Sequence, residues 1–350
     1  MLDDILTTGE VTILNSILQR TESAVVCCHT NPDGDAVGSC LGLSEWLRHR
    51  GVQATVIVPD MFPDFLQWLP GTEKIIRYDK HAGEADRLLS SADTIFCLDF
   101  NDYKRTERME ESLTSTIAAR AGAVHVVMID HHPNPQIDCT LRVSMPEMSS
   151  TSELVFRIVW QMGDYEAMTS HFAAPVYCGM MTDTGGFTYN SSSPAIFFII
   201  SELLTKGIDK DRIYRAVYHT FSENRLRMTG YVLYHKLMVF PKAHASLFTI
   251  TRAEQKRFHF MKGDAEGLVN LPLMMKGHLL SISLREDTER AGLILVSLRS
   301  VGPHPCNTIA EQFFNGGGHE NAAGGRLYCS IDDAVEVAKR AINAFANMSP

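Results

Sequence analysis

Four runs of the chain, 24–28, 52–58, 94–100 and 124–129, are almost continuously apolar, and between them the apolar positions fall at helical spacing. Strands that show no alternation are buried on both faces, so this pattern predicts a mostly parallel sheet flanked by helices. In 7–20 the residues Val11, Leu14, Ile17 and Leu18 share one helical face, and Thr7-x-x-Glu10 reads as a capping box. In 36–50 the face is Val37, Cys40, Leu41 and Leu47, and Gly51 supplies the stop. Further helices are expected at 106–120, from Ser150 to Gly163 with Ser150-x-x-Glu153 as a second capping box, at 171–181 and at 194–206. The apolar run 196–200 reads as a core helix, and 60–71 as a loop whose Phe65 and Trp68 pack.

From Ala245 the pattern changes to strands at 246–251, 279–284 and 291–298, accompanied by helices at 306–314 and 332–346. The expected class is therefore α/β, with a first domain at 1–208, a helical connector at 209–240 and a smaller α/β domain at 241–350. No stretch approaches the roughly 20 apolar residues of a membrane span. The start lacks the basic and apolar regions of a signal peptide, and the eight cysteines have no CxxC spacing, which points to a cytoplasmic protein with reduced thiols. A net charge of −9 argues against a protein that coats long nucleic acid. The excess lies in the first 240 residues, which hold 20 basic and 30 acidic side chains, whereas 241–350 hold 12 and 11. Bound divalent cations would offset that imbalance.

The acidic groups have a pattern of their own. His29-Thr-Asn-Pro-Asp33-Gly-Asp35 follows the first apolar run, Asp99 ends the third, Asp130-His131-His132 ends the fourth, and Asp183 precedes a glycine pair. Carboxyl ends of parallel strands are where open α/β sheets bind ligands. Carboxylates with two imidazoles suffice for two divalent metals in mixed N/O coordination, a set that suits Mn²⁺ better than Zn²⁺ or Mg²⁺. Two such ions activate a shared water and clamp an in-line displacement at phosphorus, which predicts phosphoester hydrolysis. In the second half, Gly316-Gly-Gly-His319 reads as backbone donors gathered on an anion or as a flexible loop, and Arg299, after an apolar strand, as an anion-binding residue.

Taken in order, His29-x-x-x-Asp33-x-Asp35, Asp99, Asp130-His131-His132 and Asp183 resemble the four motifs of the DHH phosphoesterase superfamily. Gly316-Gly-Gly-His319 with Ala322-Ala-Gly324 resembles the DHHA1 domain, and 266–270 and 297–300 fall where that branch has its motifs. Domain order and length are similar to the nano-RNase and pAp phosphatase (NrnA-like) group. The resemblance implies one metal on His29, Asp33 and Asp99 and a second on Asp35, Asp99, His131 and Asp183, with Mn²⁺ expected and Mg²⁺ the alternative. It implies a water between the metals as nucleophile and His132 on the scissile phosphate. Arg299, Gly316, Gly317, Gly318 and His319 would hold a terminal phosphate or nucleotide, in a cleft between the domains. Asp130 is expected to orient a ligand histidine rather than bind metal.

The expected substrates are short oligoribonucleotides, dinucleotides such as pApA, and pAp, with neither long duplex nor membrane as partner and a homodimer left open. The competing readings are a single-strand exonuclease or inorganic pyrophosphatase of the same superfamily, and, in another class, a nucleotide-binding protein without chemistry.

Overall fold

The apolar runs of the first half pair side by side. The computed structural model describes residues 2–261 and 263–348. In it β1 (Ser23–Cys27), β2 (Gln53–Val58), β3 (Ile76–Arg77), β4 (Thr94–Leu98), β5 (His125–Asp130) and β6 (Leu141–Ser144) form one sheet. The order is β3-β2-β1-β4-β5-β6, and every pairing is parallel. Strand order reverses between β1 and β4, so connections diverge there and open a crevice at the carboxyl edge. Alternate residues of β1 serve two layers. Ala24, Val26 and, just past the strand, Cys28 pack with Val37, Leu41, Val155 and Phe172, whereas Val25 and Cys27 pack with Ala85, Leu89 and Leu113.

The helices of this half are α1 (Thr8–Arg20), α2 (Gly34–His49), α3 (Tyr78–Ser91), α4 (Glu110–Ala119), α5 (Thr151–Gln161), α6 (Ser170–Asp183), α7 (Pro194–Thr205) and α8 (Lys210–Tyr218), of which α7 and α8 pack on α6. The Thr7/Glu10 capping box forms. At α5 only half of the expected box does: Ser150 Oγ accepts from Glu153 N, but the Glu153 carboxylate turns one residue further back to Ser149 and to Arg157. α2 and α6 pack closely because α2 carries Gly34, Gly38 and Gly42 on one face. A Cβ at Gly38 would meet the Pro175 carbonyl oxygen and approach Gly179 N to 3.0 Å.

Five stretches depart from the sequence pattern. α3 and the short strands β3 and β6 carry no apolar run long enough to announce them, and α3 breaks its helical backbone at His81. The stretch expected as a helix from 106 begins as a 3-10 segment, Tyr103–Met109, before α4. The apolar run 196–200 does not lie wholly in the core: Ile196 and Ile199 are buried, but Phe197 is 57% exposed.

Asp93, just before β4, accepts from the backbone N–H groups of Ser23 (2.9 Å) and Glu22 (3.0 Å) and from the Ser23 hydroxyl (3.1 Å). The Ser23 N–H above all holds its carboxyl below the usual range. A depressed carboxyl pKa stabilises the fold above its unfolded value and loses that contribution as pH falls through the folded one. Asp93→Asn is therefore expected to cost roughly 1 kcal/mol at neutral pH and less near about pH 3, measured by denaturant unfolding at both. An equal cost at both would mean that its charge contributes nothing.

Compact units divide at residue 220, giving Met1–Thr220 and Phe221–Pro350. In the second, α9 (Glu223–Tyr231) continues as a π-helical turn, Val232–Lys236. Then come β7 (Met238–Phe240), β8 (Ala245–Ile250), α10 (Arg252–Arg257), β9 (Leu280–Glu286), β10 (Leu293–Ser300), α11 (Asn307–Phe314), β11 (Gly317–His319), β12 (Ala322–Tyr328) and α12 (Ile331–Ala346). The helical connector expected at 209–240 thus ends early, because 238–240 pairs with β8 as an edge strand. Sheet order is β11-β12-β10-β9-β8-β7, with β8 and β9 parallel and the other pairs antiparallel. α11 and α12 cover one face through Ile309, Phe314, Ala338 and Ile342.

Candidate metal centre

The residues following β1, β4 and β5 meet the ends of α2, α5 and α6 at the carboxyl edge of the first sheet. His29, Asp35, Asp99, Asp130 and His131 are all less than a tenth exposed. Donor atoms of His29, Asp33 and Asp99 lie within 4.8 Å of one another, as do those of Asp35, His131 and Asp183, and of Asp99, Asp130 and His132.

Each side chain is aimed by a local cause. Asp99 takes a left-handed backbone, φ 62°, where aspartate is tolerated better than most residues, and its N–H donates to Ile129 O of β5. Asp33 caps α2, with Oδ1 accepting from Asp35 N (3.1 Å) and Ala36 N (3.0 Å). Asp35, in the first turn of α2, turns both oxygens to the start of α5: Oδ2 accepts from Thr151 N (2.7 Å) and Oδ1 from Ser152 N (2.9 Å). Amides at a helix N-terminus favour negative charge. Thr151 Oγ1 also donates to Asp99 Oδ1 at 3.0 Å.

Histidine orientation follows the same logic. His29 Nδ1 lies 2.7 Å from Thr30 O, and His131 Nδ1 lies 3.2 Å from Met148 O. A ring nitrogen that donates to a carbonyl leaves the other as the basic, metal-binding one. His131 Nε2 stands 3.4 Å from Asp183 Oδ2, 3.5 Å from Asp99 Oδ1 and 3.9 Å from Asp35 Oδ2. His29 Nε2 is 3.4 Å from Asp99 Oδ2. Asp130 holds His132, with Oδ1 2.7 Å from Nδ1, and its Oδ2 has no hydrogen-bond partner.

The electrostatics record crowding of like charge. Burial, then Asp99 and Asp183, push the Asp35 carboxyl well above its ordinary range. Burial and Asp99 push Asp130 up to about 7. Asp99 is held low despite burial, by the hydrogen bond from His29 and the field of His132. Burial opposes a charge on His131, but Asp183, Asp99 and Asp35 outweigh it and raise the imidazole to about 9. Carboxylates buried this closely cannot all ionise without cations among them. The donor set, carboxylate oxygens with imidazole Nε2 atoms, therefore fits divalent metal.

In the second unit Arg299 pairs with Ala322, and Ala322 pairs with His319. The two side chains thus share one row and one face of the sheet, two strands apart. The glycine run is neither an open nest nor a flexible loop. Gly317–His319 is strand β11, and Gly316 N already donates to Ala310 O. A Cβ at Gly316 would strike Gly324 O, and Gly318 has φ 141°, so glycine is required for the close pairing with β12. Sequence reading passed over Thr151 and Ser152, whose backbone N–H groups hold Asp35; their place at the first turn of a capped helix was the available signal.

Residues 23–180 match the model described as the DHH family, N-terminal domain, and 250–347 that of the DHHA1 domain. The crystal structure of an exopolyphosphatase-related protein from Bacteroides fragilis is 46% identical, with a TM-score of 0.91 over 99% of this chain and 98% of that one. The chain belongs to the DHH family. A DHH relative from Thermus thermophilus, named a bifunctional oligoribonuclease and PAP phosphatase NrnA, is 28% identical over 93% of this chain and 90% of its own. The cyclic-di-AMP phosphodiesterase GdpP of Bacillus subtilis is 24% identical over 95% of this chain, which spans 49% of that protein. Like these DHH relatives, the chain is a hydrolase. Among the described residues no helix is long and apolar enough to cross a membrane.

Proposed function

We propose that this chain is a two-metal phosphoesterase that cleaves short oligoribonucleotides and dinucleotides such as pApA to mononucleotides and removes a phosphate from pAp. The observation that carries the reading is the set of carboxylates around His131 Nε2, Asp183, Asp99 and Asp35 at 3.4–3.9 Å. His29, Asp33 and Asp99 would hold one ion, and Asp35, Asp99, His131 and Asp183 the other, with Asp99 common to both. When bound, two such ions, Mn²⁺ by the mixed donor set, lower the pKa of a water and offset charge on the phosphoryl oxygens.

The chain's own groups do the rest. The α5 amides fix the direction of the Asp35 carboxylate and favour its charged form against the repulsion around it. Asp130 fixes the ring of His132, so that Nε2 meets the scissile phosphate and supplies a proton to the departing oxygen. Arg299 and His319, on one sheet face, hold a terminal phosphate through charge-assisted hydrogen bonds. The substrate class is supported by relatives named oligoribonuclease and PAP phosphatase that match nearly the whole chain. A cytoplasmic location is part of the same proposal.

Purified protein incubated with Mn²⁺ and, separately, pApA, pAp and pyrophosphate is expected to release AMP from the two nucleotides and to leave pyrophosphate intact, with release abolished by chelator. Cleavage of pyrophosphate alone would keep the centre and replace the substrate. No turnover of any of the three would sink the proposal.

A further inference from the structure

A surface cavity of about 370 Å³ lies in the second unit and takes no part in the chemistry above. Arg252, Gln255, Lys256 and His259 line it, at positions i, i+3, i+4 and i+7 of α10 and the turn after it, with Phe260 and Thr288 completing the wall. That spacing gathers two permanent cations and an imidazole on one helical face. The neighbouring carboxylates are engaged by backbone N–H groups, Glu286 at the wall itself. Glu286 Oε2 accepts from Arg252 N, and Asp287 Oδ1 from the N–H groups of Glu289 and Arg290.

Two atoms in this wall are unsatisfied. Arg252 donates through Nε to Asp287 O (2.6 Å), yet its buried Nη2 has no partner. Gln255, 3% exposed, donates to Glu286 O (2.7 Å), and its Oε1 is also without a partner. Buried donors and acceptors left unpaired cost free energy. The guanidinium of Arg285 lies 5.1 Å from the centre of the Phe260 ring, adding a third permanent cation beside the cavity.

The place is as telling as the chemistry. Arg299 pairs with Ser281, whereas Glu286, beside the cavity, pairs with Ile294 at the other end of β9 and β10. Five residues of strand, about 17 Å, separate this cavity from the Arg299 row. It is therefore not an extension of the phosphate-holding face.

We propose that this cavity binds a small phosphate-bearing molecule, its anion on Arg252, Lys256 and His259. The volume falls in the range of small-ligand pockets. Nucleoside monophosphate and free inorganic phosphate share the chemistry.

The test is calorimetric titration of the full-length protein with Mn²⁺, using AMP and, separately, inorganic phosphate, on wild type, Lys256→Glu, Thr288→Glu and Arg299→Ala. Lys256 and Thr288 are exposed, and unchanged thermal midpoints would show that both charge variants fold. A class of AMP sites present in wild type and Arg299→Ala, and weakened roughly tenfold or more in both charge variants, is the expected result. The same loss with inorganic phosphate would identify free phosphate as a ligand, and its absence would assign recognition to the nucleoside as well. Isotherms unchanged by both charge variants, or no binding of either probe, would overturn the proposal. Turnover of pApA is read separately, so failure of the hydrolase assignment and failure of this site are distinguishable.

Discussion

Asp99→Asn is expected to lower turnover of pApA and pAp by roughly a thousandfold, about 4 kcal/mol of transition-state stabilisation, while leaving the fold intact. Asparagine keeps the shape and one oxygen that can accept from Thr151 Oγ1, so the packing at the end of β4 survives. What it removes is the charge placed between His29 and His131, the only side chain assigned to both ions. In the metal-free protein the substitution also relieves repulsion on Asp35, whose carboxyl Asp99 helps to push up. His29 and His132, which hold Asp99 ionised, lose that partner at the same time, so the thermal midpoint in chelator should lie at or below the parent's. Steady-state kinetics paired with metal content measures the prediction. A variant within about tenfold of the parent rate would remove Asp99 from the shared position.

The second large effect lies outside the centre. Gly38→Val should destabilise the first unit by roughly 3 kcal/mol, seen as a fall of about 10 °C in its thermal midpoint, and should weaken metal binding with it. The obstacle is backbone: a Cβ at residue 38 points into the Pro175 carbonyl and against Gly179 N and Cα, and a side chain cannot rotate away from main chain. α2 and α6 must move apart, and they carry Asp35 and Asp183 at the ends that face the centre. Gly83→Ala in α3 is the control. Nothing lies within 4 Å of its added Cβ, so the helix propensity of alanine should make that change neutral or stabilising by up to about 1 kcal/mol. Equal stability of the two variants would show that the α2–α6 contact is looser than it looks.

Where sequence and structure agree, the signal was short in range. Val25 and Val26 sit in a run with no polar interruption, which burial on both faces demands, and Asp99 and His131 each lie within two residues of the end of such a run. Thr7 and Glu10 are three apart and find each other without help from the fold. The readings that failed depended on distant partners. β6 spans four residues, and its Arg142 and Ser144 face away from the core, so only pairing with β5 makes it a strand. α3 has the composition of a solvated segment, and what buries it is Ala85 and Leu89 against β1. The glycines at 316–318 announced freedom of the backbone, but β12, which approaches too closely for any side chain, determines how that freedom is used. Likewise, nothing near residue 35 in the chain reveals that amides 116 and 117 positions away hold its carboxylate.

The reversal of strand order in the first sheet also bears on how the chain is made. β1 and β4 are joined at Ala24 and Thr94, 70 residues apart, and parallel pairings of that span form slowly because loop closure precedes any reward. β9 and β10, by contrast, are consecutive antiparallel strands and can zip locally. With the slow-forming sheet encoded first, the ribosome spends on the order of 6–26 s translating the 130 residues of the second unit. The half that bears the candidate ligands thus has that interval to assemble before the second sheet is fully synthesised.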